Sequence, residues 1–474
     1  MGQLLAPISA LLLSVALFVF GHGLQSTLLP LAASAAQFTD LEIGVVSSAY
    51  FVGMVLGCLG APHLILRAGH IRTYAALVSL MSGAAILHPV LVDPISWSVI
   101  RAISGFCLAA FYMIIESWLN ERATNENRGT IMSVYIVVLF GSTMIGQVSI
   151  SAMDISSFVP FAAASVMVSL AVMPVALTTT TQPAPIALVQ FRPIKLYKNS
   201  PAALVGSMMV GVANGTLWTL TPLYGSQIGF NTEQAAFFAA AIIAGGMLSQ
   251  WPAGKLSDMM DRRIVLMGLA ALTGVSSVAI WYFSPTAFYA ATGMALVIGI
   301  FSQPAYAIAV AHGFDYADPE DFVETSSGLL LAFGIGSIAG PLFASVMMQK
   351  MGPGGLFAMV AVVEALLVVF LVKRILSREG VAADDKTDFE YSTTAQVGSV
   401  ITPEPLDVEA DNVIPPEEFP AYEDDIYNFD TVENEEDTDG SEGVEAMAET
   451  ADAKDADTDT AKPEKPSTTG SPFR

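Results

Sequence analysis

The chain's 474 residues are 53% hydrophobic and only 14% charged, which excludes an ordinary soluble protein of that length, where about a quarter are charged. Its net charge of −24 describes one end: residues 380–474 hold 27 acidic and 5 basic side chains, a net −22, and the preceding 379 residues hold −2. The acidity therefore excludes nothing about a solute, and the two cysteines, Cys58 and Cys107, each inside an apolar run, exclude a disulfide framework or a clustered thiolate metal site.

A helix crossing the ~30 Å hydrocarbon core needs ~20 mostly apolar residues. Twelve stretches qualify, near 8–31, 41–65, 73–90, 95–118, 130–150, 158–178, 200–226, 232–254, 263–283, 286–310, 324–349 and 354–374. The first opens MGQLLAPISA without a basic n-region and stays apolar to Pro30, longer than a cleavable signal, so it is expected to be kept as a span. Ala6 stands where a myristoylation signal needs Ser or Thr. In this span His22, flanked by two glycines, is a candidate proton carrier because imidazole titrates near neutrality. Gln25, one turn on, is a candidate solute contact.

Span 4 carries Arg101 about six residues from its start. A guanidinium at that depth needs water or a partner, which makes it a candidate binding or proton-linked charge, with snorkelling to the interface as the alternative. Tyr112 follows as a candidate pocket residue. The stretch FYMIIESWLNE then places Glu116 about 21 residues beyond Ile95, ~32 Å along a helix, at the expected cytoplasmic rim, with Trp118 as an interfacial anchor. There Glu116 is expected beside Arg122 and Arg128, or Arg67 and Arg72, as part of an inner gate that also takes in Glu121.

Past span 6, residues 179–199 (TTTQPAPIALVQFRPIKLYKN) are polar and proline-bearing, and read as a linker dividing the spans six and six. Span 7 offers Asn214 and Trp218, and span 10 offers Gln303 and Tyr306, as amide and aromatic groups suited to a concave pocket. Span 11 contains Gly336-x3-Gly340-Pro341, which permits close helix approach and a bend. Glu364 lies ~15 Å deep in span 12, where a structural or subunit contact is favoured over a coupling role. After Glu379 the acidic clusters and scattered Pro, Thr and Ser predict a disordered tail, either a docking arm for an unidentified partner or a solvated appendage.

Lys and Arg accumulate in short cytoplasmic loops. With the N-terminus inside, thirteen basic residues (Arg67, Arg72, Arg122, Arg128, Arg192, Lys195, Lys198, Lys255, Arg262, Arg263, Lys373, Arg374, Arg378) fall on the cytoplasmic side against Lys350 outside. Both termini are thus expected in the cytoplasm. A shift of 192 lays GHGLQSTLLP (21–30) on ANGTLWTLTP (213–222) and Phe38 and Gly53 on Phe230 and Gly245. A shift of 194 lays Gly105, Tyr112, Ser133 and Gly146 on Gly299, Tyr306, Ser327 and Gly340. The pattern predicts an all-α membrane protein of twelve transmembrane helices in two pseudo-symmetric six-helix bundles, 1–178 and 200–378, with a tail over 379–474 and a solute site between the halves.

The loop after span 8, GKLSDMMDRR, resembles the loop signature of the major facilitator superfamily through Gly254, Leu256, Asp258, Arg262 and Arg263, with Asp261 where the pattern has Gly. The first-half counterpart, PHLILRAGHIR, keeps Arg67, Gly69 and Arg72 but has Leu66 in the acidic position. Arg101-x3-Gly105 resembles the family's embedded-arginine motif, and Glu121-x6-Arg128 resembles its element between helices 4 and 5. IESWLNER with NRG is similar to a bacterial branch of poorly characterised facilitators. The resemblance implies a cytoplasmic latch built from Asp258, Asp261, Arg262 and Arg263. The family's antiporter pattern belongs in helix 5, where this chain has only Gly141 and Gly146-Gln147, so coupling direction stays open.

The expected function is secondary active transport of a small organic solute by alternating access, coupled to protons, in a bacterial cytoplasmic membrane. One Arg and few acids favour a neutral or anionic solute over a multiply charged cation. Export of amphiphilic compounds and uptake of a metabolite both remain open, and outside transport the alternative is a facilitator-fold sensor or scaffold acting through the acidic tail. No G-x-x-x-x-G-K-[ST] loop is present, and no nucleophile-and-base or metal-ligand spacing recurs. No enzyme activity, cofactor, metal or nucleic-acid partner is expected, and the protein is expected to act as a monomer in the lipid bilayer.

Overall fold

The computed structural model describes residues 8–122, 128–177, 192–318 and 321–377. These fall within one compact unit, Met1–Asp407. Residues 178–191 of the linker, the tail from 378 on and the side chain of Arg128 lie outside the described residues, and so do the expectations that fall on them.

Each apolar stretch is a helix long and greasy enough to cross a bilayer, twelve among the described residues. They are α1 (Ser9–Ala35), α2 (Asp40–Ala68), α3 (His70–Leu87), α4 (Pro94–Arg122), α5 (Gly129–Ala152) and α6 (Val159–Ala176) in the first half. In the second half they are α7 (Pro201–Gln227), α8 (Thr232–Met259), α9 (Arg262–Phe283), α10 (Phe288–Phe314), α11 (Glu324–Met351) and α12 (Gly355–Ser377). Local chemistry starts two of them alike. Thr39 and Glu42 form a reciprocal capping box at α2, and Asn231 and Gln234 form the same box at α8, 192 residues later. The turns just before these caps also match, with positive φ at Gln37 (65°) and Gly229 (97°).

Glycines decide how the helices cross. A Cβ on Gly105 would overlap the Tyr50 carbonyl, and one on Gly53 would overlap the Ala102 carbonyl, so α2 and α4 touch backbone to backbone. Gly245 against Leu296 and Gly299 against Ile242 repeat that crossing between α8 and α10. The pair α1 and α5 crosses in the same way through Gly23 and Gly146, and α7 and α11 through Gly211, Gly336 and Gly340. Each half is therefore knit internally by contacts that leave no slack for a methyl group.

The halves meet along three seams, α2 with α11, α5 with α8, and α1 with α7. At the face carrying the loops after odd-numbered helices, Gln227 Nε2 donates to Asp40 Oδ1 across the halves at 2.6 Å. Nearby, Gly44 packs against Ser345 and the Pro341 carbonyl of α11 with no room for a side chain. The other face holds the basic loops. There a short helix, Pro193–Asn199, is tied to the start of α11 by Lys195 to Asp321 (2.8 Å) and Arg192 to Glu324 (3.5 Å).

Candidate functional site

A cavity of about 50 Å³ sits between the halves, toward the non-basic face. Its polar wall comes from the first half. His22 and Ser26 are four residues apart on α1 and share a helix face, as do Thr143 and Gln147 on α5. The Gly23 and Gly146 crossing brings those two faces together, and Gln147 Nε2 donates to Ser26 Oγ at 3.2 Å. Tyr50 on α2 and Arg101 on α4 complete the wall, set by the Gly53 and Gly105 crossing, so that the Arg101 guanidinium carbon lies 4.3 Å from the Tyr50 ring centre. His22 also stacks on the phenol, at 5.8 Å and 17°.

The opposite wall is mostly apolar: Leu217 and Trp218 on α7, Ala239, Ile242 and Ile243 on α8, with Thr219 as its hydroxyl. Pseudo-symmetry makes the contrast legible. The offsets that align the glycines put Ile242 in the place of Tyr50, Ala295 in the place of Arg101 and Trp218 in the place of Ser26. The second half retains the crossing and lacks the cation.

Arg101 is only 5% exposed and its Nη1 has no hydrogen-bond partner. No carboxylate lies among the residues lining the cavity. The nearest acids along the same helices are more than two turns away: Glu42 is eight residues from Tyr50 on α2 and Asp93 is eight residues from Arg101 at the start of α4, ~12 Å each, and Glu116 is fifteen along α4, ~22 Å.

Of the residues singled out in the sequence, His22, Arg101 and Trp218 line this cavity. Gln25 and Tyr112 are buried in the first half and do not line it. Asn214, Gln303 and Tyr306 form a separate knot behind Trp218, where α10 breaks around Gln303-Pro304. Asn214 Nδ2 donates to the Ser302 carbonyl (3.2 Å), Trp218 Nε1 donates to Gln303 Oε1 (3.1 Å), and Tyr306 packs on Phe333. These groups hold Trp218 in place. Ser26, Tyr50, Thr143, Gln147 and Thr219 were not singled out by the sequence. The i, i+4 pairing of His22 with Ser26 and of Thr143 with Gln147 is the signal that marks four of the wall residues as two polar faces.

The expected gate residues do not line this cavity. Glu116 is 2% exposed and accepts a hydrogen bond from Tyr135 of α5 at 3.3 Å, so it lies inside the first half. Glu121 is exposed and Arg122 half-buried at the end of α4. In the other half the buried Arg262 guanidinium bonds Asp315 (2.7 Å), the Ala311 carbonyl (2.7 Å) and Asp258 (3.2 Å), clamping the ends of α8, α9 and α10. Asp261 caps α9, accepting from the Arg263 backbone N–H at 2.9 Å and from its side chain at 2.6 Å. Gly254 is buried one turn before Asp258. Burial pushes the Asp261 carboxyl up, yet the hydrogen bonds and charge of Arg263 outweigh it and hold it below the ordinary carboxylate value. A depressed carboxylate stabilises the fold above its unfolded pKa, and that contribution fades as pH falls through the folded value. Glu364 is buried where α12 packs on Gly274 of α9, outside the cavity.

Two apolar six-helix halves enclosing a cavity with a polar wall define a multi-pass membrane carrier. The sequence pattern of the Major Facilitator Superfamily matches residues 11–298 and 241–406, and the chain belongs to that family. An uncharacterised MFS-type transporter of Yersinia pestis is 29% identical over 375 residues, which cover 78% of this chain and 96% of the relative. Among solved structures, a bacterial homolog of the human lysosomal transporter Spinster, in an inward-facing and occupied conformation, superposes with a TM-score of 0.64 at 14% identity, covering 80% of this chain and 97% of that one. The nucleoside transporter NupG gives 0.63 at 12% identity, covering 78% and 99%. At those identities the likeness is one of fold.

Proposed function

We propose that the protein is a secondary active transporter that moves a small organic solute by alternating access and couples the movement to protons. The cavity between the halves carries this reading. At about 50 Å³ it has room for a water or two, whereas sites for organic ligands run to several hundred Å³. Parting of the seams would enlarge the cavity to solute size, and two halves joined along a few seams are the arrangement that rocks.

The contacts between α2, α7 and α11 close the non-basic face, and the positive-inside rule puts the basic face in the cytoplasm. The arrangement described is then one closed to the outside, with both termini inside. Asp258, Asp261, Arg262 and Arg263 brace the cytoplasmic ends of α8, α9 and α10, so their clamp acts within the second half and sets the shape that the first half closes against. Glu116 acts likewise within the first half.

His22 is the group lining the cavity whose ordinary pKa lies near neutrality, and it stacks on Tyr50, the ring that Arg101 also contacts. In this reading it exchanges the coupling proton. The test is uptake into proteoliposomes with and without an imposed pH gradient. The intact protein should concentrate solute when the gradient is present, and His22→Gln should equilibrate it without concentrating it. A variant that still responds to the gradient removes His22 from coupling, and absence of flux across a broad metabolite and drug panel defeats the transport reading.

A further inference from the structure

A cation held inside a membrane protein needs a counter-charge, and among the described residues no carboxylate lies in the cavity wall that Arg101 borders. The guanidinium remains charged at any working pH, is 5% exposed, and has a face against the Tyr50 ring and an Nη1 with no acceptor. The cavity it borders is lined by no Asp or Glu. An aromatic face offsets part of the cost of burying a cation, but far less than a carboxylate does. Most of the remaining wall sorts by half, with Phe51 in the first and Thr219 in the second as the exceptions. Hydrogen-bonding groups, His22, Ser26, Thr143 and Gln147, sit on the side of Arg101, and Leu217, Ile242 and Ile243 face them.

We infer that the transported solute is an amphipathic organic anion carrying one carboxylate or similarly small anionic group. This rests on the reading that the cavity is the solute site. The anionic end docks on Arg101, accepts a further hydrogen bond from the Gln147 amide, and completes the charge balance that the protein leaves open. The apolar body lies against α7 and α8, with the Trp218 ring beside it. The same pseudo-symmetry that gives the second half Ala295 and Ile242 makes this polarity one-sided: the solute's charged end belongs to the first half in every turn of the cycle.

The test uses the full-length protein in nanodiscs and three probes of one shape and different charge: 3-phenylpropanoate, 3-phenylpropanamide and 3-phenylpropylamine. Tryptophan fluorescence reads binding beside Trp218. The carboxylate should bind saturably, the amide at least about tenfold more weakly, and the amine not at all. Arg101→Gln should raise the Kd for the carboxylate by about 10- to 100-fold, as loss of a charge-assisted contact does, and Arg101→Lys should recover part of it. The comparison of the three probes on the unaltered protein stands even if a variant fails to fold.

A series from butanoate to hexadecanoate, measured in the same way, separates the two sources of such an anion: binding that begins with the short members means delivery from water, and binding confined to the long ones means delivery from the lipid. Amide or amine binding that matches the carboxylate, no saturable binding by any carboxylate of the series, or an unchanged Kd in Arg101→Gln overturns the inference. Carboxylate binding without flux in proteoliposomes defeats the transport reading and leaves the anion site standing. Flux carried by the amine defeats the anion reading and leaves transport standing.

Discussion

Arg101 shows how much of a site one residue can announce. A lone guanidinium in an apolar run is conspicuous in sequence because its burial is costly, and His22 and Trp218 stand out for similar reasons of chemistry. Tyr50 and Thr143 do not, since a phenol or a hydroxyl in a membrane helix is unremarkable until its neighbour is known. Glu116 is the complementary case: axial distance along α4 places it near the rim, and the hydrogen bond it accepts from Tyr135 of α5 is not written in the spacing. With Arg101 bordering the cavity, Arg101→Ala should abolish solute flux while circular dichroism and gel filtration report a folded protein. Unchanged transport would remove Arg101 from the mechanism.

At the scale of helices, hydropathy revealed nearly everything about the spans, because a length of ~20 apolar residues is a property of the chain alone. The break of α10 at Gln303-Pro304 was visible only as a proline inside a span, and the helix crossings were visible only as glycines at constant offset. The structure gives those glycines their reason. Gly105 is four residues past Arg101 because the carbonyl of Tyr50 must pass where its side chain would be, and that passage is what lays the Tyr50 ring under the guanidinium. Gly105→Ala is therefore expected to force α2 outward, at a cost of about 1–3 kcal/mol as for other overpacked cores. The thermal midpoint in detergent should fall by several degrees, with weakened carboxylate binding; a midpoint equal to that of the unaltered protein would show that the crossing is loose.

Taken as a whole, the described helices form one compact unit whose two halves join along three seams. Each half is locked by backbone contacts at its glycine crossings, whereas the hydrogen bond from Gln227 to Asp40 joins the halves at an exposed position. Such a bond contributes on the order of 1 kcal/mol, enough to tilt a two-state equilibrium about fivefold. Asp40→Ala should enlarge the population open at the non-basic face by about that factor. Spin labels on Ala36→Cys and Glu233→Cys, both exposed and one in each half, would report it as a growing long-distance peak, and an unaltered distance distribution would show that the bond is not part of the closure.

The single positive charge in the cavity also fixes how the carrier responds to voltage. With a monoanion docked on Arg101 and His22 neutral, the proposed site would be electrically neutral as its access changes sides. Empty, it carries one positive charge, and an elementary charge crossing the full field is worth about 2.3 kcal/mol per 100 mV. With the coupling proton on His22 the loaded site would keep one positive charge, as the empty site does, so in the proposed cycle membrane potential bears on both half-cycles.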